Sequence, residues 1–147
     1  MRVTQTKSGM TRIETDRIGE ELEGLFNAPI KPDLILNMKR NWFAKIWNGE
    51  KEVEYREVKP HWMVRIGSWV GKDPLVKFVE MRIGYLKDGP VMLLQVYRAD
   101  IGKCPYEGWD GKYFRLHFKV MEKYWRSRDG VYTPSIFANI RMKEKGI

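Results

Sequence analysis

The 147 residues are 43% hydrophobic and 31% charged, enough apolar material for one domain with a real core. The net charge of +8 favours polyanionic partners, because neutralising phosphates releases condensed counterions. No apolar run reaches the roughly eighteen residues of a membrane-spanning helix, the polar first residues lead us to expect no secretory signal, and Cys104, the sole cysteine, excludes an internal disulfide.

A cytoplasmic setting without membrane contact is expected. With only His61 and His117 beside Cys104 there is no zinc pattern, and no metal or cofactor is expected. The positive charge is unevenly spread. Residues 1–32 hold five basic and five acidic side chains, 33–124 hold seventeen and twelve, and 125–147 hold five and two. Three segments follow: an N-terminal arm and short helix (1–32), the principal domain (33–124), and a basic tail that packs back on it (125–147).

In chain order, residues 1–12 lack periodicity and read as an arm. Thr15 and Asp16 offer a cap, and Ile18, Leu22, Leu25 and Phe26 share one helical face over 16–26. Pro29 and Pro32 end that helix and lead into a strand at about 33–38. Trp42, Phe43, Ile46 and Trp47 form an apolar helical stripe, from which Trp42 and Trp47 are both expected in the core. Asn48-Gly49 stops the helix.

The next stretch, Lys51-Glu52-Val53-Glu54-Tyr55-Arg56, alternates with period two. Glu52, Glu54 and Arg56 share one face, Val53 and Tyr55 the other, and Lys51 stands at the strand mouth. Such a face is either the solvated side of an edge strand or the charged wall of a cleft. Pro60 opens a short helix through Ile66, flanked by Trp62 and Trp69. Long strands are predicted over 75–85, 91–101 and 112–124, with bulges expected at Gly84 and Gly102. In the last strand Phe114, Leu116, Phe118 and Val120 alternate with Tyr113, Arg115, His117 and Lys119, giving a core face and a basic, aromatic face. The loop Cys104–Gly111 offers Tyr106 and Trp109 for stacking on an unpaired base or for packing over a barrel mouth. Trp125 opens the tail, where Thr133-Pro134 starts a helix.

The spacing of Lys39, Ile46, Gly49, Lys51, Glu54 and Arg56 resembles the signature of the ASCH family, whose members share a β-barrel related to the PUA domain. The resemblance implies an α+β fold, a PUA-like mixed β-barrel with short flanking helices. It also implies RNA or a nucleotide-derived ligand as partner. One bacterial branch of the family hydrolyses the acetyl amide of N4-acetylcytidine with a lysine, a threonine and a glutamate; Lys51 matches its lysine, whereas position 54 is Glu where that branch has Thr. Another member is linked to ribonuclease action.

The expected binding residues are Lys39, Lys51, Glu54, Arg56, Lys59, Trp62, Tyr106, Trp109 and Arg115. In an enzyme, Lys51 and Glu54 would be the catalytic pair. RNA or nucleotide binding, hydrolysis of RNA or a modified nucleoside, and a protein-interaction module are the three functions the sequence leaves open.

Overall fold

The computed structural model describes residues 31–146; the arm expected over 1–12 and the helix expected over 16–26 lie outside the described residues. The order is β1 (Leu34–Met38), α1 (Arg40–Trp47), β2 (Val53–Glu57), α2 (Pro60–Ile66) with a short 3-10 turn (Gly67–Trp69), then β3 (Lys77–Ile83), β4 (Gly89–Gly102), β5 (Tyr113–Arg126), β6 (Tyr132–Pro134) and α3 (Ser135–Glu144). Among the described residues no helix is long and apolar enough to cross a membrane.

Among the described residues six strands form one mixed sheet, in the order β1-β3-β4-β5-β2 with β6 added beside β5, curled into a half-barrel. β1 runs parallel to β3, and the remaining pairs are antiparallel. β5 is long enough to serve two partners on its outer edge: Tyr113–His117 pair with β2, and Tyr124–Arg126 pair with β6. β1 and β2 are therefore the two ends of the main sheet.

The curl comes from bulges, though not at the glycines where they were expected. Register shifts between Val96 and Arg98, leaving Tyr97 unpaired on β4, and between Leu93 and Leu94, where β5 skips Met121. A bulge bends and twists a strand and also reverses which residues face inward. Met92, Leu94 and Val96 point into the core before Tyr97, and Ala99 after it; Phe114, Leu116 and Phe118 point inward before Met121, and Trp125 after it. Trp125 is therefore a core residue, 1% exposed, and does not open a separate tail. Gly84 instead ends β3, its N–H donating to the Met38 carbonyl at 2.8 Å.

Inside the curl, Leu36, Phe43, Ile46, Ile66, Met81, Met92 and Leu116 are all but solvent-free. α1 contributes Phe43, Ile46 and Trp47 to this core, while Trp42 lies at the edge of its stripe and is only half-buried. α3 closes the far end with Ala138 and Met142. On the outer face, Val91, Leu93 and Tyr124 form a smaller cluster with Phe78 and Tyr132.

α1 ends in a Schellman motif. The Gly49 N–H donates to the Ile46 carbonyl at 3.0 Å, and the Glu50 N–H reaches back to Lys45 at 2.8 Å. Gly49 adopts a φ of 77°, and this left-handed residue aims the chain at β2. Gly49→Ala places a side chain in that conformation and should lower stability by about 1–2 kcal/mol, read as a fall in the urea midpoint.

Tyr132 ties β6 to β3. Its hydroxyl donates to Glu80 Oε1 at 2.5 Å, while Arg82 Nε donates to the other carboxylate oxygen. Burial, reinforced by the Glu80 hydrogen bond and charge, pushes the Tyr132 phenol up to about 12. A raised folded pKa contributes stability that is complete below the unfolded value near 10 and is lost as pH climbs through about 12. Urea midpoints followed from neutral to alkaline pH should therefore fall above about pH 10 in the wild type. Tyr132→Phe should start from a lower midpoint and fall less steeply there.

Candidate functional site

The two terminal strands of the sheet do not zip together. A cleft of about 420 Å³ occupies the seam between them. The end of β1 gives Asn37, Met38 and Lys39; α1 gives Trp42; Lys51 and the β2 residues Glu54, Tyr55, Arg56 and Glu57 form the floor and one side; α2 gives Trp62; the β4–β5 loop and the start of β5 give Gly108, Trp109 and Tyr113.

The floor is one charged network. Glu54 is 3% exposed and Lys51 7%, so the charged face of β2 is the wall of a cleft and not a solvated edge. Lys51 Nζ donates to Glu54 Oε1 at 2.7 Å, and the Tyr55 N–H donates to the same oxygen at 3.1 Å. Arg56 Nη2 donates to Glu54 Oε2 at 2.8 Å and contacts Met38 Sδ on β1 at 3.0 Å, joining the two sides of the seam. Two cations against one carboxylate leave the floor with one excess positive charge. Arg56 Nε is shielded from solvent and has no acceptor among the described residues.

Aromatic rings wall this floor. Lys51 Nζ lies 4.7 Å from the Trp42 ring centre, and the Arg56 guanidinium lies 4.8 Å from that of Trp62. These are cation–π distances, and they hold both cations in place without consuming their remaining donors. Tyr106 packs against Trp42 at 4.8 Å, Tyr55 at 5.6 Å and Trp109 at 6.0 Å, and Trp109 packs on Tyr113 at 5.5 Å. The hairpin loop is thus fastened over the seam by ring contacts. Burial raises the Tyr55 and Tyr106 phenols above their ordinary values, with nearby Glu54 adding to both, so both remain hydrogen-bond donors at neutral pH.

Comparison with protein-family models, with curated proteins and with solved structures returned no match.

Of the residues expected from sequence, Lys39, Lys51, Glu54, Arg56, Trp62 and Trp109 line the cleft. Tyr106 stands behind the wall, its ring centre 5.8 Å from Lys51 Nζ. Lys59 does not line it; its exposed ammonium pairs with Glu57 at 2.7 Å beside the rim. Arg115 lies on the outer face of β5, where its Nε donates to Asp100 at 2.6 Å. Trp69, the other tryptophan beside α2, is buried in the core.

Trp42, Tyr55, Tyr113, Asn37 and Glu57 were not foreseen. Trp42 reads as core because helical spacing does not reveal that a loop, and not the sheet, covers its side of the helix. Tyr55 reads as facing away from Glu54, and it does, but the cleft wraps around the unpaired edge of β2 and reaches both faces.

Both oxygens of Glu54 are engaged, and among the described lining residues there is no Ser, Thr, Cys or His. The floor is built to present fixed donors. Replacing the carboxylate by its isosteric amide leaves Lys51 and Arg56 facing each other without a counter-charge. Glu54→Gln should therefore cost roughly 3–5 kcal/mol of stability, and adding Lys51→Met should recover part of that loss in urea unfolding.

Proposed function

We propose that the chain is a PUA-like module of the ASCH type whose seam cleft binds an RNA base or a nucleotide-derived ligand. The observation that carries this reading is a floor of fixed cationic donors, Lys51 and Arg56 on Glu54, set between aromatic walls. A planar heterocycle stacks on such walls, and its carbonyl oxygens or an attached phosphate accept from the floor. The cleft volume, about 420 Å³, falls in the range of small-ligand pockets and suits one nucleoside better than a run of stacked bases.

The motif residues support the same reading. Lys51, Glu54 and Arg56 meet in one network, Ile46 is core, and Gly49 makes the turn that presents them. A cytoplasmic place of action fits the lone thiol of Cys104. Hydrolysis is the rival reading, with Lys51 as the group that polarises or deprotonates. The engaged state of both Glu54 oxygens favours binding over hydrolysis. A protein-partner role rests on different residues, Ile136, Phe137 and Ile140, which α3 leaves exposed.

Three tryptophans line the cleft, so intrinsic fluorescence reports occupancy directly. Titration with nucleoside monophosphates and short single-stranded RNA should quench it. Trp62→Ala should weaken binding by about tenfold or more, since stacking on an aromatic ring is worth about 1–3 kcal/mol per base. Unchanged affinity in Trp62→Ala would refute stacking in the cleft. Product formed from RNA or from acetylated cytidine by the wild type, and not by a folded Lys51→Ala variant, would replace the binding reading with the enzymatic one.

A further inference from the structure

The outer face of β4 and β5 carries a second group of charges that the cleft does not use. Asp100 gathers three donors: Arg115 Nε at 2.6 Å, Arg98 Nη2 at 3.1 Å and His117 Nε2 at 3.2 Å. Arg115 is seated by close approach to Gly102, where a Cβ would stand 2.4 Å from its guanidinium carbon. That contact lays the fork flat on β4 and fixes its direction. With Lys119 added, the described residues of the patch set three permanent positive charges against Asp100, with Glu52 bordering the Lys119 end.

An aromatic ring stands among them. The bulge turns Tyr97 outward, 50% exposed, with its ring centre 6.5 Å from that of His117. Beneath Tyr97 lies a second hollow of about 310 Å³, lined by Tyr97, Lys119, Phe118, Val120, Glu52 and Lys51 among others. Lys51 thus borders both this hollow and the cleft.

The two regions are continuous. Tyr55 of the cleft is the direct cross-strand neighbour of Arg115, and Arg115 of Asp100; Val53, His117 and Arg98 form the next row. At a strand spacing of about 4.8 Å, the basic patch begins one strand from the cleft wall and extends to a second.

We propose that the outer face of β4 and β5 is a track for the sugar–phosphate backbone of a single strand, with Arg98, Arg115 and Lys119 meeting phosphates and Tyr97 stacking a base adjoining the one in the cleft. This rests on the cleft reading and narrows it: the natural ligand is a polynucleotide strand, and a free nucleotide occupies only part of the site. Cations interleaved with an exposed ring are what binding of an unpaired strand requires.

The test uses the full chain, a short labelled single-stranded RNA followed by anisotropy, and nucleoside monophosphates followed by tryptophan fluorescence. Tyr97→Ala and the double variant Arg98→Gln/Lys119→Gln change exposed side chains outside the cleft. Each should weaken RNA binding by about tenfold and leave monophosphate binding as in the wild type. The double variant should also flatten the dependence of log K on log salt by about 1.4, at roughly 0.7 for each cation removed from a single-strand site. RNA that binds no more tightly than a monophosphate, or that binds both variants like the wild type, overturns the track while the cleft reading stands. Wild-type protein that binds neither ligand overturns both. A polyglutamate peptide that binds more tightly than RNA and is lost in the same variants would assign the face to an acidic protein and overturn the track.

Discussion

The carboxylate of Glu54 holds Arg56, and Arg56 makes the contact across the gap between the two ends of the sheet. A closed barrel would satisfy the free edges of β1 and β2 with backbone hydrogen bonds, whereas here side chains span the gap. Burying three ionised groups costs several kcal/mol for each before their mutual attraction is counted. That attraction offsets the cost only because each oxygen of Glu54 accepts a charge-assisted hydrogen bond and each cation also faces a ring. An apolar plug of similar volume would close the seam at least as well. Stability alone is therefore a poor account of the network.

The rest of the fold serves that arrangement. α1 must end where it does for Gly49 to turn the chain, and Trp42 must sit at the edge of the helical stripe to face Lys51. Bulges at Tyr97 and Met121 supply the curvature that brings β1 and β2 near each other without pairing them. The same bulge at Tyr97 creates the outward ring on the opposite face. One irregularity in β4 thus shapes both the seam and the surface beside it.

Much of this was legible in the residues. The place of α1 follows from its apolar stripe and Asn48-Gly49, the starts of α2 and α3 from Pro60 and Thr133-Pro134, and the inward set Phe114, Leu116 and Phe118 from simple alternation, whereas Ile136, Phe137 and Ile140, expected to pack back, stay exposed and Ala138 and Met142 pack instead. Alternation fails where its phase changes. The run from Lys112 to Tyr124 reads as one strand of constant parity, and nothing local announces that Met121 is skipped, so Trp125 reads as outside the core when it is among the most buried side chains. Glycine positions were a poor guide to the bulges because a bulge with its extra residue in an ordinary backbone conformation needs no glycine. The cleft failed to declare its full lining for a related reason. Periodicity assigns a side chain to a face, but which faces meet at a seam is decided by strand order, and strand order is a long-range property.

Lys51 shows how the two surfaces are bound together. It is buried, it holds Glu54, and it borders the cleft on one side and the hollow beneath Tyr97 on the other. Its ammonium is thus a partition between two sites, each with an aromatic ring at hand and a net positive surround. Lys51 holds Glu54 and Glu54 holds Arg56, so two cations share one carboxylate.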